Sequence, residues 1–230
     1  MTSLSRAPRS RILVLACTVM ERELSSLRND FTDIKFFDYG LHRTPENMAV
    51  ALQKEIDLIG PSSGYERIVL GYGLCSNGIV GVKAREVPLV VPKVHDCISL
   101  FLGSVEAYQC ESVKCPGTYY LTPGWIERGE TPISKYESYV RSYDEETAKW
   151  VLNEEMKHYT RVALINTSDY GATDEYRETA RKNAEFLSVS YEEIMGSPTL
   201  LNQLIRGPWN VSFVLLSAGE SITQEMFLED

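Results

Sequence analysis

The stretch from residue 67 to residue 101 constrains the fold more than any other part of the chain. It holds two short uncharged runs rich in branched residues, Ile68–Leu70 and Pro88–Val91, and Gly or charged and polar residues follow each run. Such runs are typical of fully buried parallel strands. Cys75 follows the first run, and His95 and Cys97 follow the second. Ligands bind beyond the carboxyl ends of the strands in open parallel sheets, so the stretch predicts a functional site.

Strands and helices alternate along nearly the whole chain. Apolar runs and turn signals predict strands over residues 11–17, 34–39, 67–71, 88–92, 117–123, 161–167, 187–191 and 211–216. Helical spacing and capping signals predict helices over residues 20–29, 44–59, 97–108, 134–158, 173–186 and 197–205, and a helix or a helical turn over residues 76–84. The alternation indicates an α/β fold, with parallel sheets and helices on both faces.

The same pattern predicts how the chain is divided. Residues 1–10 are expected to form a flexible tail, residues 11–133 an α/β lobe that carries the Cys/His cluster, and residues 134–230 a second α/β lobe. Two similar lobes with a cleft between them are one interpretation, and one continuous domain is the other. The helix predicted over residues 134–158 would bridge the two lobes.

Composition narrows the classes of function. The net charge is −9 and the isoelectric point is near 5.0, which argues against a nucleic-acid groove lined by Lys and Arg. No apolar run approaches the roughly 18 residues that a membrane helix needs, and Ile12–Cys17 is too short for a signal-peptide core. These features predict a cytoplasmic protein, in which the five cysteines are thiols or metal ligands rather than disulfides.

Three cysteines follow three different predicted strands: Cys17 the first, Cys75 the third and Cys97 the fourth. If these strands are parallel neighbours, the three thiols and the nearby His95 meet at one edge of a sheet. Thiolate and imidazole ligands suit Zn²⁺, with His95 as the fourth or an outer ligand. The alternative is a [4Fe–4S] cluster that is held by three cysteines and has one open iron.

Two further interpretations of these cysteines stay open at this point. A single free cysteine is most often an inert, buried small hydrophobe. A metal-free thiol enzyme would instead use His95 as the base for Cys75 or Cys97. In either catalytic interpretation His95 and Asp96 are the candidate proton-transfer groups, although Asp96 also suits the N-cap of the following helix. His42, after the second predicted strand, is a weaker candidate for the same edge.

The segment GYGLCSNG places small residues between a predicted strand and a predicted helix. Its backbone N–H groups at Gly73, Ser76, Asn77 and Gly78 would then be open to an anionic group of a cofactor. An ordinary turn is the competing interpretation, because Asn-Gly is a common turn sequence.

The segment TYYLTPGW mixes aromatic and turn residues, and it predicts a wall of a small-molecule pocket formed by Tyr120, Thr122 and Trp125. Tyr170 and Ser217 each follow a later strand and are candidates for closing a cleft. Cys110 and Cys115 form a pair without further ligands, so we expect them to be ordinary thiols.

The motifs GYGLCSNG, PKVHDC and GTYYLTPGWIE together resemble the DUF1638 family of proteins of unknown function. The resemblance spans most of the chain. Cys17, Cys75, His95 and Cys97 match the family pattern, whereas Cys110 and Cys115 do not belong to it. Genes of this family often lie near genes for corrinoid-dependent methyltransferases in anaerobic microbes, which implies a corrinoid protein or a methyltransferase as a partner.

The favoured expectation is a zinc-dependent accessory enzyme of one-carbon, methyl-transfer or thiol metabolism that acts on a small molecule. The alternatives are a [4Fe–4S] protein for lyase or sulfur-transfer chemistry and a non-enzymatic metal or corrinoid carrier. Neither nucleic acid nor membrane is an expected partner.

Overall fold

The fold consists of strands and helices that alternate along the chain, and the computed structural model describes residues 11–167 and 171–228. The strands are β1 (Arg11–Cys17), β2 (Thr32–Phe37), β3 (Tyr65–Gly71), β4 (Leu89–Pro92), β5 (Thr118–Leu121), β6 (Arg161–Thr167), β7 (Ser190–Gly196) and β8 (Phe213–Leu216). The helices are α1 (Glu21–Leu27), α2 (Pro45–Ile56), α3 (Ile98–Leu102), α4 (Val105–Lys114), α5 (Pro123–Arg128), α6 (Pro132–Ser142), α7 (Glu145–Met156), α8 (Asp174–Leu187) and α9 (Thr199–Arg206). The predicted α/β class, with parallel sheets flanked by helices, is confirmed. The predicted tail, residues 1–10, lies outside the described residues.

The described chain divides into two compact units. The first contains residues 11–17, 23–97 and 202–228, and the second contains residues 18–22 and 98–201. Residues 98–133, which the sequence assigned to the lobe with the cysteine cluster, therefore belong to the second unit. The C-terminal residues return to the first unit because β8 pairs with β4 there.

The first unit is built on a five-stranded sheet with the order β2-β1-β3-β4-β8. The first four strands are parallel, and β8 closes the edge antiparallel to β4. The strands β1 and β4 are buried along nearly their whole length, and β3 is buried over its last four residues, as uninterrupted apolar runs predict for strands covered on both faces. Their carboxyl ends therefore meet at one edge of the sheet.

The second unit contains a parallel sheet with the order β5-β6-β7. Its core packs Leu121, Val162 and Leu164 from the sheet against Ala180 and Ala184 of α8. Arg161 at the start of β6 is buried and binds the carboxylates of Glu111, at 2.8 Å, and Glu192. This internal ion network satisfies the charge of the arginine, as a buried cation requires.

Two predicted helices are each divided in two. The helix expected over residues 97–108 breaks at Gly103, whose φ is +93°, and α4 restarts when the Ser104 hydroxyl accepts a hydrogen bond from the Ala107 N–H at 3.0 Å. The helix expected over residues 134–158 breaks at Tyr143, which is extended, and Asp144 caps α7 by accepting from the Thr147 N–H at 2.9 Å. N-caps of this kind start a helix because they satisfy its first free N–H groups.

Of the helix or helical turn expected over residues 76–84, only turns are present. Residues 75–80 form consecutive turns, and no helix occurs between β3 and β4 in the described chain. The reason is the backbone at the start of this segment, where left-handed dihedral angles prevent a right-handed helix from forming.

Candidate functional site

Three cysteines lie at or just beyond the carboxyl ends of neighbouring parallel strands in the first unit. Cys17 is the last residue of β1, Cys75 lies four residues beyond β3, and Cys97 lies between β4 and α3. In the register of β1 with β3, Ala16 pairs with Gly71, so both strands end at the same level. All three side chains are buried, with exposed fractions of 1%, 9% and 7% respectively. The predicted convergence of the strand ends is therefore present.

The segments after β3 and β4 are bound to each other through their backbones. The Leu74 N–H donates to the Val94 carbonyl and the Cys75 N–H donates to the His95 carbonyl, both at 2.9 Å. Gly73 makes this approach possible, because a Cβ there would lie 2.8 Å from the Val94 oxygen and 2.9 Å from the Asp96 backbone nitrogen. The two cysteine-bearing loops are thus held in one fixed arrangement.

Cys75 opens a left-handed turn, which is rare for residues other than glycine. Cys75, Ser76 and Asn77 have φ values of 47°, 56° and 65°. Left-handed backbone costs roughly 1–2 kcal/mol for each such residue. The turn is held by two hydrogen bonds, from the Gly78 N–H to the Cys75 carbonyl and from the Val80 N–H to the Asn77 carbonyl, both at 3.0 Å. Strain of this kind concentrates at functional sites.

Replacing Ser76 with Gly is expected to raise the free energy of unfolding by about 0.5–1 kcal/mol. Glycine removes the Cβ strain of the left-handed backbone, and this gain exceeds the extra chain entropy that glycine loses on folding. Urea denaturation followed by circular dichroism measures the change.

Ser62 provides the matched control, because it is also an exposed serine but its backbone is not left-handed. Ser62→Gly is expected to lower the free energy of unfolding by up to about 1 kcal/mol. A loss of stability in Ser76→Gly as large as that in the control would show that the turn is not strained.

Burial and neighbouring negative charge dominate the electrostatics of the thiols. Burial, the Asp96 carboxylate and Cys17 raise the pKa of Cys75 to about 12, against a lowering contribution from the Gly73 N–H. Burial raises the pKa of Cys97 well above its ordinary value, and Cys75, Asp96 and Cys17 raise it further. The three thiols and Asp96 are therefore close enough to act on one another.

Tyr72 completes this group, which we call the thiol cluster: Cys17, Cys75, Cys97 and Tyr72. Burial raises the pKa of Tyr72, and so do Cys17, Cys75 and Cys97 in that order. The Tyr72 side chain is 1% exposed, and its hydroxyl has no hydrogen-bond partner among the residues of the described chain. The His42 ring lies 6.1 Å from the Tyr72 ring, and burial lowers the pKa of His42.

The candidate acid and base residues lie at different depths. His95 is exposed, and its side chain is not one of the groups that shift the pKa of Cys75 or Cys97. Asp96 is half-buried and acts on both thiols. Of the two predicted proton-transfer residues, Asp96 is thus the one whose charge raises the pKa of Cys75 and Cys97.

The donor atoms do not form a preassembled site for a single ion. In the part of the chain that the structure describes, no three His, Cys, Asp or Glu side chains are arranged so that they would hold a metal ion as they stand. Four thiolates or imidazoles around zinc at about 2.3 Å require contacts between ligands of just under 4 Å. The three thiols do not form such a set as they stand.

The residues expected to bind an anionic cofactor have other roles. Gly73 packs on the backbone of the next loop, and the Gly78 N–H donates to Cys75. Ser76 and Asn77 are exposed on the left-handed turn. No helix follows this turn in the described chain, so a helix N-terminus does not contribute to such a site, and anion binding by the backbone N–H groups stays a prediction.

The residues expected to line a substrate pocket lie in the second unit. Thr122 caps α5 by accepting from the Trp125 N–H at 3.0 Å, and the Trp125 indole donates to the Glu130 carbonyl at 2.8 Å. Tyr120 is half-buried with its ring 6.1 Å from that of Tyr108. Thr122 and Trp125 therefore have structural roles. That they also line a substrate pocket stays a prediction.

The remaining candidates are not members of the thiol cluster. Cys110 is exposed on α4, and the Cys115 sulfur lies 3.5 Å from the Thr160 hydroxyl in the second unit. Ser217 is exposed, and its N–H donates to the Glu220 carboxylate. Tyr170 lies outside the described residues.

Sequence reasoning missed two buried polar residues near the candidate cysteines in the chain. Tyr72 was not singled out, although it lies between Gly71 and Gly73 directly after a buried strand, which is an unusual position for a hydroxyl group. Glu23, in the helix that follows Cys17, has 0% exposure, which the charged sequence of α1 did not indicate.

Comparison with known proteins identifies one family. A family model described as "Protein of unknown function (DUF1638)" matches residues 36–205. The match includes Cys75, His95 and Cys97, and it begins after Cys17. No curated protein and no solved structure matches the chain. Among the described helices, none combines the length and the apolar character that crossing a membrane requires.

Proposed function

The chain belongs to the DUF1638 family of proteins of unknown function, and from the geometry of its thiol cluster we propose that it is a metal-thiolate protein. Cys17, Cys75 and Cys97 are the three sulfur ligands of the proposed metal centre. The centre keeps one coordination position open to a small molecule. Family membership supplies no activity, so the proposal depends on the site alone.

The convergence of three buried thiols from three separate strand ends carries this proposal. Each thiol comes from a different crossover of the parallel sheet, and each one is close enough to affect the ionisation of its neighbours. Three thiols that pack only as small hydrophobes have no reason to gather at the edge where parallel sheets bind ligands. The strained turn at Cys75 adds a second reason, since strain is retained where function requires a fixed geometry.

Two kinds of metal centre suit three thiolate ligands, a single zinc ion and an iron–sulfur cluster. A cluster of several irons holds its cysteine sulfurs farther apart than one zinc ion does, and three cysteines leave one iron of a [4Fe–4S] cluster open. The three thiols act on one another, yet they are not drawn together as ligands of one ion. Of the two, we propose the [4Fe–4S] cluster, because three cysteines leave one of its irons open to a small molecule, and Zn²⁺, the ion expected from the sequence, is the alternative.

The chemistry proposed for this centre is lyase or sulfur-transfer chemistry on a small molecule. When bound, the centre supplies an open metal position that polarises an atom of the substrate. Asp96, which is half-buried beside Cys75 and Cys97, is the residue placed to accept or donate a proton there. His95 lies at the exposed side of the same loop and is placed to exchange that proton with solvent.

The proposed role in methyl-transfer metabolism, with a corrinoid protein or a methyltransferase as partner, depends on the family resemblance alone. A carrier without activity would use the same ligands. Turnover of a candidate methyl or thiol substrate by the metal-loaded protein separates an enzyme from a carrier.

Elemental analysis of protein purified without oxygen or chelators tests the metal centre. We expect about four iron and four acid-labile sulfide per chain, with a brown colour. A colourless protein with about one zinc per chain would keep the thiolate site and overturn the cluster. Protein that holds no metal, both as purified and after reconstitution with iron and sulfide or with zinc, would contradict the proposed function as a whole.

A further inference from the structure

A cavity lies where the strands β1, β2 and β3 of the first unit begin, at the opposite edge of the sheet from the thiol cluster. Its volume is about 660 Å³, within the range of roughly 300–1,000 Å³ that small-molecule pockets have. We call it the amino-edge cavity. Its lining combines apolar and polar residues, among them Ile12, Ile205, Trp209, Asn29, Glu66 and Arg206. Apolar walls with a few polar groups are typical of a site for a small organic molecule.

The apolar side of the amino-edge cavity is held in place by the core and by two contacts of Trp209. Ile12 and Ile205 are 7% and 2% exposed, so they belong to the packed interior. The Trp209 indole N–H donates to the Leu204 carbonyl at 3.3 Å, and the Arg67 guanidinium lies 5.5 Å from the centroid of the Trp209 ring. A fixed indole ring offers a large apolar surface to the side chain of a ligand.

Asn29 supplies a hydrogen-bond donor with a fixed orientation. Its Oδ1 atom accepts from the Phe31 N–H at 2.9 Å and from the Thr32 hydroxyl at 3.2 Å. Because a backbone N–H is always a donor, the oxygen of the Asn29 amide is the atom that faces it. The Nδ2 group has no partner among the described residues, and Asn29 lines the amino-edge cavity. This group is therefore a donor for an anionic oxygen of a ligand.

Two charged residues of opposite sign line the same cavity without neutralising each other. The Glu66 carboxylate has no hydrogen-bond or ion-pair partner in the described chain. Among the described residues, the Arg206 guanidinium donates only to the Leu27 carbonyl, at 3.4 Å. A ligand with a single charge would meet the like charge of one of these two residues. A ligand that carries both charges finds an opposite charge for each of them.

Free α-amino acids combine the required features, since a carboxylate, an ammonium group and a side chain are attached to one carbon atom. We propose that the amino-edge cavity binds an α-amino acid with a large apolar side chain. Arg206 and Asn29 hold its carboxylate, and Glu66 holds its ammonium group. The side chain of the ligand packs on the Trp209 indole. This site is independent of the metal-thiolate centre, so neither proposal falls with the other.

Three related molecules test this assignment, because they share a phenyl group and differ in charge. L-Phenylalanine carries both charges, 3-phenylpropanoate only the carboxylate and 2-phenylethylamine only the ammonium group. Each is titrated into the full chain and followed by ligand-detected NMR. We expect L-phenylalanine to bind about three- to fivefold more tightly than either analogue, since each exposed ion pair contributes modestly. Equal affinities for the three molecules would overturn the proposal.

Substitutions separate the two charged ends of the ligand. Glu66→Gln is expected to lose the preference for L-phenylalanine over 3-phenylpropanoate and to keep the preference over 2-phenylethylamine, and Arg206→Gln is expected to do the reverse. Glu86→Gln is the matched control, because Glu86 is an exposed glutamate of the same unit and is not one of the residues that line the amino-edge cavity. The control should keep both preferences. The proposal is wrong if Glu66→Gln or Arg206→Gln, with the thermal transition of the wild-type protein, also keeps both.

Tryptophan emission locates the binding. The chain has three tryptophans, of which Trp209 lines the amino-edge cavity. Saturating L-phenylalanine is expected to change the emission of the wild-type protein, and Trp209→Phe is expected to lose most of this change. A change that Trp209→Phe retains in full would place the binding elsewhere in the chain and overturn the proposal.

Discussion

Replacing Cys17, Cys75 or Cys97 with Ser is expected to lower the metal content of the anaerobically purified protein at least about tenfold. A serine hydroxyl has nearly the same size as a thiol but is a poor ligand for zinc or iron–sulfur clusters. Two remaining thiols cannot hold a centre that needs three. Metal is measured by elemental analysis, and folding is checked by circular dichroism on the same sample.

Cys110→Ser and Cys115→Ser are the matched controls for this experiment. Both residues are in the second unit, where Cys110 is exposed and Cys115 is partly exposed. Each control is expected to retain the metal content of the wild-type protein. If metal followed Cys110 and Cys115 and not the three buried thiols, the proposed centre would be in the wrong place.

Replacing Gly73 with Ala is expected to lower the free energy of unfolding by about 2–4 kcal/mol. The added Cβ would lie 2.8 Å from the Val94 oxygen and 2.9 Å from both the backbone nitrogen and the Cα of Asp96. All of these are backbone atoms, which cannot rotate aside as a side chain does. The two loops must separate, and this weakens the hydrogen bonds from the Leu74 and Cys75 N–H groups.

Gly60→Ala serves as the control for this substitution. Gly60 lies in the same unit, its φ is −99°, and the nearest atom to an added Cβ is a flexible Glu86 carboxylate oxygen at 3.8 Å. The control is expected to be neutral or slightly stabilising, by up to about 1 kcal/mol. Urea unfolding of both variants gives the comparison, and equal stabilities would show that the two loops are not closely packed at Gly73.

The strands were the part of the fold most open to prediction. β1 and β6 have the bounds that their sequences predict, because each is a short apolar run with polar residues at both ends. The position of the site at the carboxyl ends of β1, β3 and β4 followed from this, since parallel neighbours end at a common edge.

The segment between β3 and β4 shows where prediction failed. Ser76–Ala84 has enough apolar residues to suggest a helix, but the backbone of Cys75, Ser76 and Asn77 is left-handed there. The turn is closed by the bond from the Gly78 N–H to the Cys75 carbonyl, and the Cys75 N–H is bound to the His95 carbonyl of the next loop. Such a turn is unfavourable for the local sequence, apart from Asn77, and exists because distant residues impose it. The division of the chain into units was equally hidden, because it depends on β8 pairing with β4 across more than a hundred residues of sequence.

The amino-acid sequence by itself determined the α/β class, the buried strands and the placement of Cys17, Cys75 and Cys97 directly beyond three of them. These properties depend on local hydrophobic patterns, which a single segment carries without its neighbours. Only the tertiary structure decided that Tyr72 joins the three thiols, that the charge of Asp96 acts on Cys75 and Cys97, and that the turn at Cys75 is left-handed. Those features arise from contacts between segments far apart in the chain, where packing overrides the preference of each segment alone.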